Sequence, residues 1–241
     1  MPRTVETAAE TAAETATESR PRAARVHARH RVQRTKARAR YDREAIHAIL
    51  DAGLIAHVGF CVDGQPFVIP MLYARDGETI LLHGSIASRL VNALGEGVPT
   101  CLSVTHVDGL VLARSHFHHS MNYRSVVAFG VAKIVDDADE KVAALTRFVD
   151  ALIPGRAAES RPPDRNELAA TNVLRFEIED ASAKVREGGA KDDPADATLP
   201  HWAGVVPQRA VYDAPLVEEN VADASLPESV QRLLASRRAR A

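Results

Sequence analysis

Three short stretches of the chain gather side chains able to hold an anion, a flat ring or a proton. The first, Ile80–Leu94, reads ILLHGSIASRLVNAL. It passes from an apolar strand through a small-residue turn into a helix, with Ser88 and Arg89 at the junction. Free backbone N–H groups at a helix start favour a phosphate, and a hydroxyl and a guanidinium fork add donors. An ordinary strand–turn–helix, with Ser88 as N-cap and Arg89 in water, carries the same letters. The second stretch, Ser115–Ser125 (SHFHHSMNYRS), packs three His, two aromatics, Asn, Arg and three Ser between two apolar runs. Such a cluster builds either a binding site or a solvated loop. His116 and His118 share a strand face while His119 points away, and no metal site is expected there. The third, Val68–Tyr73 (VIPMLY), has Pro70 inside an apolar strand. Proline removes a ladder donor and marks an edge or a bulge, where a ring can lie against the interrupted backbone or the sheet simply bends.

Further along, Lys184 and Arg186 follow the last strand-like run, and Trp202 is the single tryptophan. They complement an anionic flat ligand, or cap a strand end and plug a surface. The two cysteines, Cys61 and Cys101, sit in apolar runs, which reads as free buried thiols and excludes a disulfide framework or zinc motif.

The chain has 241 residues and a formal net charge of −2, but the charges are segregated. Residues 21–43 hold eight Arg and one Lys against one Asp, net +8, and residues 228–241 are net +3. The body, 44–227, holds 15 basic and 26 acidic residues, net −11. A basic arm can contact nucleic acid phosphates. Here no recognition motif accompanies it and the body repels a polyanion, so nucleic acid is not an expected partner and the arm reads as a lead-in packing partly on the body. No apolar run is long enough to span a bilayer and the N-terminus lacks a secretory pattern, so a cytoplasmic protein is expected.

The elements that must position these residues are short. Residues 1–20, with a recurring Glu-Thr-Ala pattern, cannot offset their ordering entropy and read as disordered. A helix capped by Asp42 places Ala45, Ile46, Ile49 and Leu50 on one face and stops at Gly53. Strands follow at 54–62, 66–74 and 79–83, with turns at 63–65 and 75–77, then a short helix at 88–94. Strands are expected at 100–106, 110–115, 125–135 and 173–179, with helices at about 139–152 and before Asn172. At least six strands with few helices between them point to a mainly β, antiparallel barrel with inserted helices.

In this order, YDREAIHAIL, AHVGFCVDGQPFVIPMLYARDGETILLHGSIASRLVNAL, DGLVLARSHFHHSMNYRSVVAFGVAKIV, SAKVR and HWAGVVP resemble the pyridoxamine 5′-phosphate oxidase-like, FMN-binding split-barrel family. The likeness is closest to its nitroimidazole-resistance reductases and covers about residues 36–215. It implies a six-stranded split β-barrel, a homodimer with FMN at the subunit interface, and an FMN-dependent oxidoreductase. The domain would span 36–220, between an arm at 1–35 and a tail at 221–241 that forms a short helix. Matched residue by residue, Val68, Ile69 and Pro70 lie along the flavin ring, with His83, Gly84 and Ser85 beside it. Ser88 and Arg89 take the phosphate, while Asn122, Tyr123, Arg124 and Ser125 close the site across the interface. Lys184 and Trp202 reach the cofactor, and His83 or His119 donates a proton to substrate. Electrons would pass from a reduced nicotinamide to a small acceptor, a nitroaromatic or quinone. The Arg-Leu-His-like run of true pyridoxamine phosphate oxidases is not seen, so that reaction is not expected. A non-enzymatic flavin carrier or sensor stays open, as does the same barrel binding haem, which the three His allow, or a deazaflavin.

Overall fold

The structure, a computed structural model, describes residues 27–221 and 225–238. The disorder expected at 1–20, and the arm as far as residue 26, lie outside the described residues. Nine strands form one sheet, and every pair in it is antiparallel. They are β1 (Ala39–Arg40), β2 (Ile55–Val62), β3 (Gln65–Leu72), β4 (Ala74–Asp76), β5 (Thr79–Ser85), β6 (Thr100–Leu112), β7 (Ser120–Ile134), β8 (Thr171–Arg186) and β9 (Gly204–Pro207). The order is β3-β2-β6-β7-β8-β5-β4, with β1 on β8 and β9 on β6. The sheet does not close, and six of its strands have seven or more residues. Among the described residues there are five α-helices: α1 (Arg43–Asp51), α2 (Arg89–Gly95), α3 (Ala138–Leu152) and α4 (Arg165–Ala170) between strands, and α5 (Glu228–Arg238) after the last one. No helix among the described residues is long and apolar enough to cross a membrane.

Local chemistry accounts for the ends of these elements. Asp42 accepts from the Ala45 N–H at 2.8 Å and starts α1, whose Ile46, Ile49 and Leu50 are buried. At its C-terminus the Tyr73 hydroxyl donates to the Leu50 carbonyl, and His106 Nε2 lies 3.0 Å from the Ile49 carbonyl. These side chains satisfy groups a helix end leaves open. Asp63 and Gly64 have φ of 51° and 79°, the two-residue turn that joins β2 to β3. Along β2, Ala56, Val58 and Phe60 are buried. Cys61 falls on the other side of that alternation and is exposed, correcting the expected burial, whereas Cys101 is half-buried and both thiols are free.

Two expected strands, 100–106 and 110–115, are a single strand, β6. Asp108-Gly109 carries the letters of a turn, but residues on both sides pair with β7, so the extra residue becomes a bulge. Gly109 is needed there because a Cβ would stand 2.8 Å from the Val206 carbonyl of β9. β7 begins five residues before the expected Ser125, and β8 runs on through residues 180–186, where polar and apolar side chains alternate, because β7 pairs with them. The main core lies between the curved sheet and helices α1 and α2, around Val58, Leu82, Leu94, Leu102, Val126 and Phe176. Leu81 points the other way, into a smaller cluster with Phe148 of α3 and Val173. Strand β5 therefore buries both faces.

Candidate functional site

Strand β3 is an edge of the sheet. The two-residue turn makes Val62–Gln65 the first hydrogen-bonded pair, so residues 66, 68 and 70 turn their backbone groups outward. Proline at 66 and 70 removes two outward donors, which blunts the edge against strand addition. Between the two prolines the Val68 N–H remains, flanked by outward carbonyls.

Beside this edge lies a cavity of about 580 Å³, within the range of small-molecule sites. Phe60, Phe67, Ile69, Pro70, Met71 and Leu72 form an apolar wall, and His83, Ser88, Arg89 and Leu90 complete it. The Phe60 and Phe67 rings stack with centroids 5.4 Å apart. Ser88 caps α2, its Oγ 3.5 Å from the Val91 N–H, and its O–H stays available as a donor. The Arg89 guanidinium sits 5.5 Å from the Phe67 ring centroid and has no carboxylate partner among the described residues. His83 lies edge-on to Phe148, with centroids 4.5 Å apart, and its Nδ1 is buried without a hydrogen bond. Burial pushes the His83 imidazole below its ordinary pKa, so the ring is neutral near pH 7. An apolar slot with an unpaired guanidinium, a hydroxyl and a neutral imidazole suits a flat ring bearing an anionic arm.

The later polar residues form a separate cluster on β7 and β8. Arg124 donates twice to Asp108, both at 2.9 Å, and this pairing holds the guanidinium above its ordinary pKa. The Asn122 amide oxygen accepts from Arg186, which also reaches the Gly188 and Gly189 carbonyls at 3.2 and 3.0 Å. Burial, with Arg38 nearby, lowers the Arg186 pKa. Tyr123 stands opposite Arg186, and Ser125 opposite Lys184. Trp202 is two-thirds exposed, its ring over Gly204, where a Cβ would stand 2.8 Å from it.

The model of the pyridoxamine 5′-phosphate oxidase family matches residues 42–185. The chain belongs to that family. No curated protein matches it. Among solved structures it is similar to the flavocytochrome Anf3 from Azotobacter vinelandii, at 41% identity over 86% of this chain and 97% of that one, with a TM-score of 0.81. It is also similar to a FAD and heme binding protein from Mycobacterium smegmatis, at 39% identity over 81% of this chain and 97% of that one, TM-score 0.78. A Bacteroides thetaiotaomicron protein described as a 5-nitroimidazole antibiotic resistance protein shares the fold at 20% identity over 61% of this chain and 86% of that one, TM-score 0.53.

In this family member, the cavity brings together Ile69, Pro70, His83, Ser88 and Arg89 of the residues singled out from sequence. Val68 is on the same strand, its side chain two-thirds exposed. Gly84 lets α2 approach β5, since a Cβ would meet Val91 at 2.8 Å, and Ser85 Oγ accepts from the Ala87 N–H at 3.2 Å. His119, Asn122, Tyr123, Arg124, Ser125, Lys184 and Trp202 do not line the cavity of their own chain. His119 is exposed, its Nδ1 2.8 Å from the Ser115 carbonyl. Phe60 and Phe67 were not anticipated in the site, because ordinary strand alternation is their only signal, and Met71 lay in the expected stretch without a role. Nor was Asp108 anticipated, whose pairing with Arg124 depends on the bulge. A third cluster, His27, His30 and Asp180, joins the arm to β8 and was not anticipated.

Proposed function

We propose that the chain is a flavin-binding oxidoreductase. The observation that carries this is the cavity itself: an apolar wall along an edge strand, ending at Ser88 and an Arg89 that no carboxylate among the described residues neutralises. Likeness to two proteins described as a flavocytochrome and a FAD and heme binding protein supports the same reading. Ser88 and Arg89 hold the phosphate next to the ribityl chain, a group FMN and FAD share, so the assignment serves either. The Val68 N–H and outward carbonyls of β3 bond the polar rim of the ring, and Ile69 and Pro70 form its floor. Gly84 and Ser85 give it room beside β5.

A bound flavin supplies hydride acceptance from a reduced nicotinamide and return of two electrons to a small nitroaromatic or quinone acceptor. The protein binds, orients and excludes water. Among the described residues His83 finds no hydrogen-bond partner, so none of them locks its tautomer, and with Nδ1 buried it exchanges a proton with substrate at Nε2.

In this reading the protein is a homodimer whose split barrels face each other. Leu110 of β6 pairs in register with Met121 of β7 and Val206 of β9, an apolar row with 45–47% exposure across three strands. Burial of this row against a second copy brings His119, Asn122–Ser125, Lys184 and Trp202 towards the other subunit's cavity. A second cofactor is favoured by the two relatives named above and by the surface cluster of His116, His118 and His119: haem bound alongside the flavin. The test is the absorption spectrum of purified protein reconstituted with FMN, FAD and haemin. Flavin bands that bleach anaerobically with a reduced nicotinamide are expected, and a Soret band adds the haem. A protein that takes up neither flavin overturns the proposal, and a bound flavin that stays oxidised leaves a carrier.

A further inference from the structure

We propose that His27, His30 and Asp180 form a metal site for a divalent transition ion such as zinc, which pins the basic arm to the sheet. The site lies outside the flavin cavity and stands independently of it.

The geometry begins with a bulge. β7 and β8 slip register between Phe129 and Gly130, which leaves Glu179 unpaired and presents Asp180 opposite Phe129. Gly130 allows this, because a Cβ there would lie 1.9 Å from the Glu177 carbonyl oxygen. Asp180 is thereby a buried carboxylate, its side chain 5% exposed. The arm folds back over it as a single 3₁₀ turn, Ala28–His30, whose spacing aims two imidazoles at one oxygen. His27 Nδ1 is 2.7 Å and His30 Nδ1 3.3 Å from Asp180 Oδ1. The three ligand atoms lie within 4.8 Å of one another.

Hydrogen bonding accounts for one of these imidazoles and not the other. His30 is buried, its side chain 4% exposed, and its Nδ1 has no hydrogen bond despite the short approach to the carboxylate. A buried polar atom without a partner is uncommon and calls for a missing ligand or ion. Two imidazole nitrogens and one carboxylate oxygen are the donor types of zinc sites that keep a position open. The surroundings complete the case. Arg29, between the two His, donates to the other carboxylate oxygen and to Glu179 at 2.8 Å, and stands 5.6 Å from the Phe129 ring centroid. It orients Asp180 while leaving Oδ1 to the ion, as outer partners of metal ligands do. A cavity of about 270 Å³ beside the site, reached by Tyr41, His47 and Glu78, has room for water as the remaining ligand.

The experiment is calorimetric titration of chelator-treated, full-length protein with zinc, with metal content read by mass spectrometry. One ion per chain is expected, bound at least tenfold more weakly by His27→Ala and by His30→Ala. His27 is half-exposed, so its replacement leaves the fold intact, which circular dichroism checks. His118→Ala, in the other histidine cluster, should bind as wild type does. Zinc should also slow tryptic cleavage within residues 29–34 of wild type and not of His27→Ala. Zinc uptake unchanged by both arm variants, loss of binding in His118→Ala, or no uptake by wild type overturns the proposal.

Discussion

Arg89→Ala separates a phosphate clamp from a surface arginine. Within the chain, Arg89 lies over the Phe67 ring and makes no ion pair among the described residues. Removing a partly exposed cation–π contact costs the fold about 0.5–1 kcal/mol. Thermal stability should therefore barely move. For the ligand the loss is larger, because hydrogen bonds to a charged group contribute about 1.5–3 kcal/mol. That corresponds to a Kd for FMN or FAD weaker by about ten- to hundredfold. The assay is quenching of flavin fluorescence as apoprotein is titrated into FMN, FAD and riboflavin. Riboflavin has the ring and the ribityl chain but no phosphate, so its affinity should be nearly the same for wild type and variant. Arg89→Lys should recover part of the FMN affinity, since a lysine keeps the charge and loses the fork. Unchanged FMN affinity would refute the phosphate assignment. Equal weakening of FMN and riboflavin would show that Arg89 acts on the ring, through Phe67, and not on the phosphate.

Three other outcomes follow from particular contacts. Burial lowers the His83 pKa, so below about pH 6.5 the unfolded chain takes up a proton that the folded one refuses. The unfolded state then binds more protons, stability rises with pH, and this contribution is lost as pH falls below about 6.5. The drop in urea midpoint between about pH 7.5 and pH 5 should be smaller in His83→Gln than in wild type, and an equal drop would remove His83 as its source. Gly130→Ala drives a Cβ to 1.9 Å from the Glu177 carbonyl oxygen, where only backbone can yield, so a loss above about 4 kcal/mol or failure to fold is expected. Gly64→Ala meets open space and costs only the left-handed turn, about 1–2 kcal/mol, and thermal melts showing equal effects would contradict the packing argument. Glu at both Leu110 and Met121 should turn a dimer into a folded monomer by light scattering; a wild type that is already monomeric would end the dimer reading.

Legibility in the sequence followed the range over which each feature is decided. The turn after β2, expected at 63–65 and found at Asp63-Gly64, the caps at Asp42 and Ser88, and the buried face of α1 depend on near neighbours and were legible in composition and spacing. The centre of the candidate site was legible for the same reason, since His83, Ser88 and Arg89 fall within seven residues of one strand–turn–helix. What failed was decided by distant partners. Asp108-Gly109 and Asp63-Gly64 carry the same dipeptide, yet one is a turn and the other a bulge, because β7 and β9 hold the strand on both sides of Gly109. Asp180 and Arg29 meet across a separation of 151 residues, and nothing local marks either as a partner.

The charge arithmetic needs the same distinction. In a body with 26 acidic and 15 basic residues, an arginine has every opportunity to find a carboxylate, and Arg124 does so at Asp108. The family resemblance gives Arg89 the phosphate and Arg124 a place in the segment that closes the site, and both are arginines in polar stretches. A guanidinium already bonded twice to a carboxylate must give that pairing up, or share it, before it can serve a phosphate. Arg89 has no such partner among the described residues, no carboxylate lines its cavity, and it sits at the polar end of an apolar slot. Low competition for its charge, more than its place in a motif, makes Arg89 the stronger of the two candidates. It also sets the order of effects: Arg89→Ala should weaken flavin binding more than Arg124→Ala, whose main consequence is to leave Asp108 unpaired at the bulge.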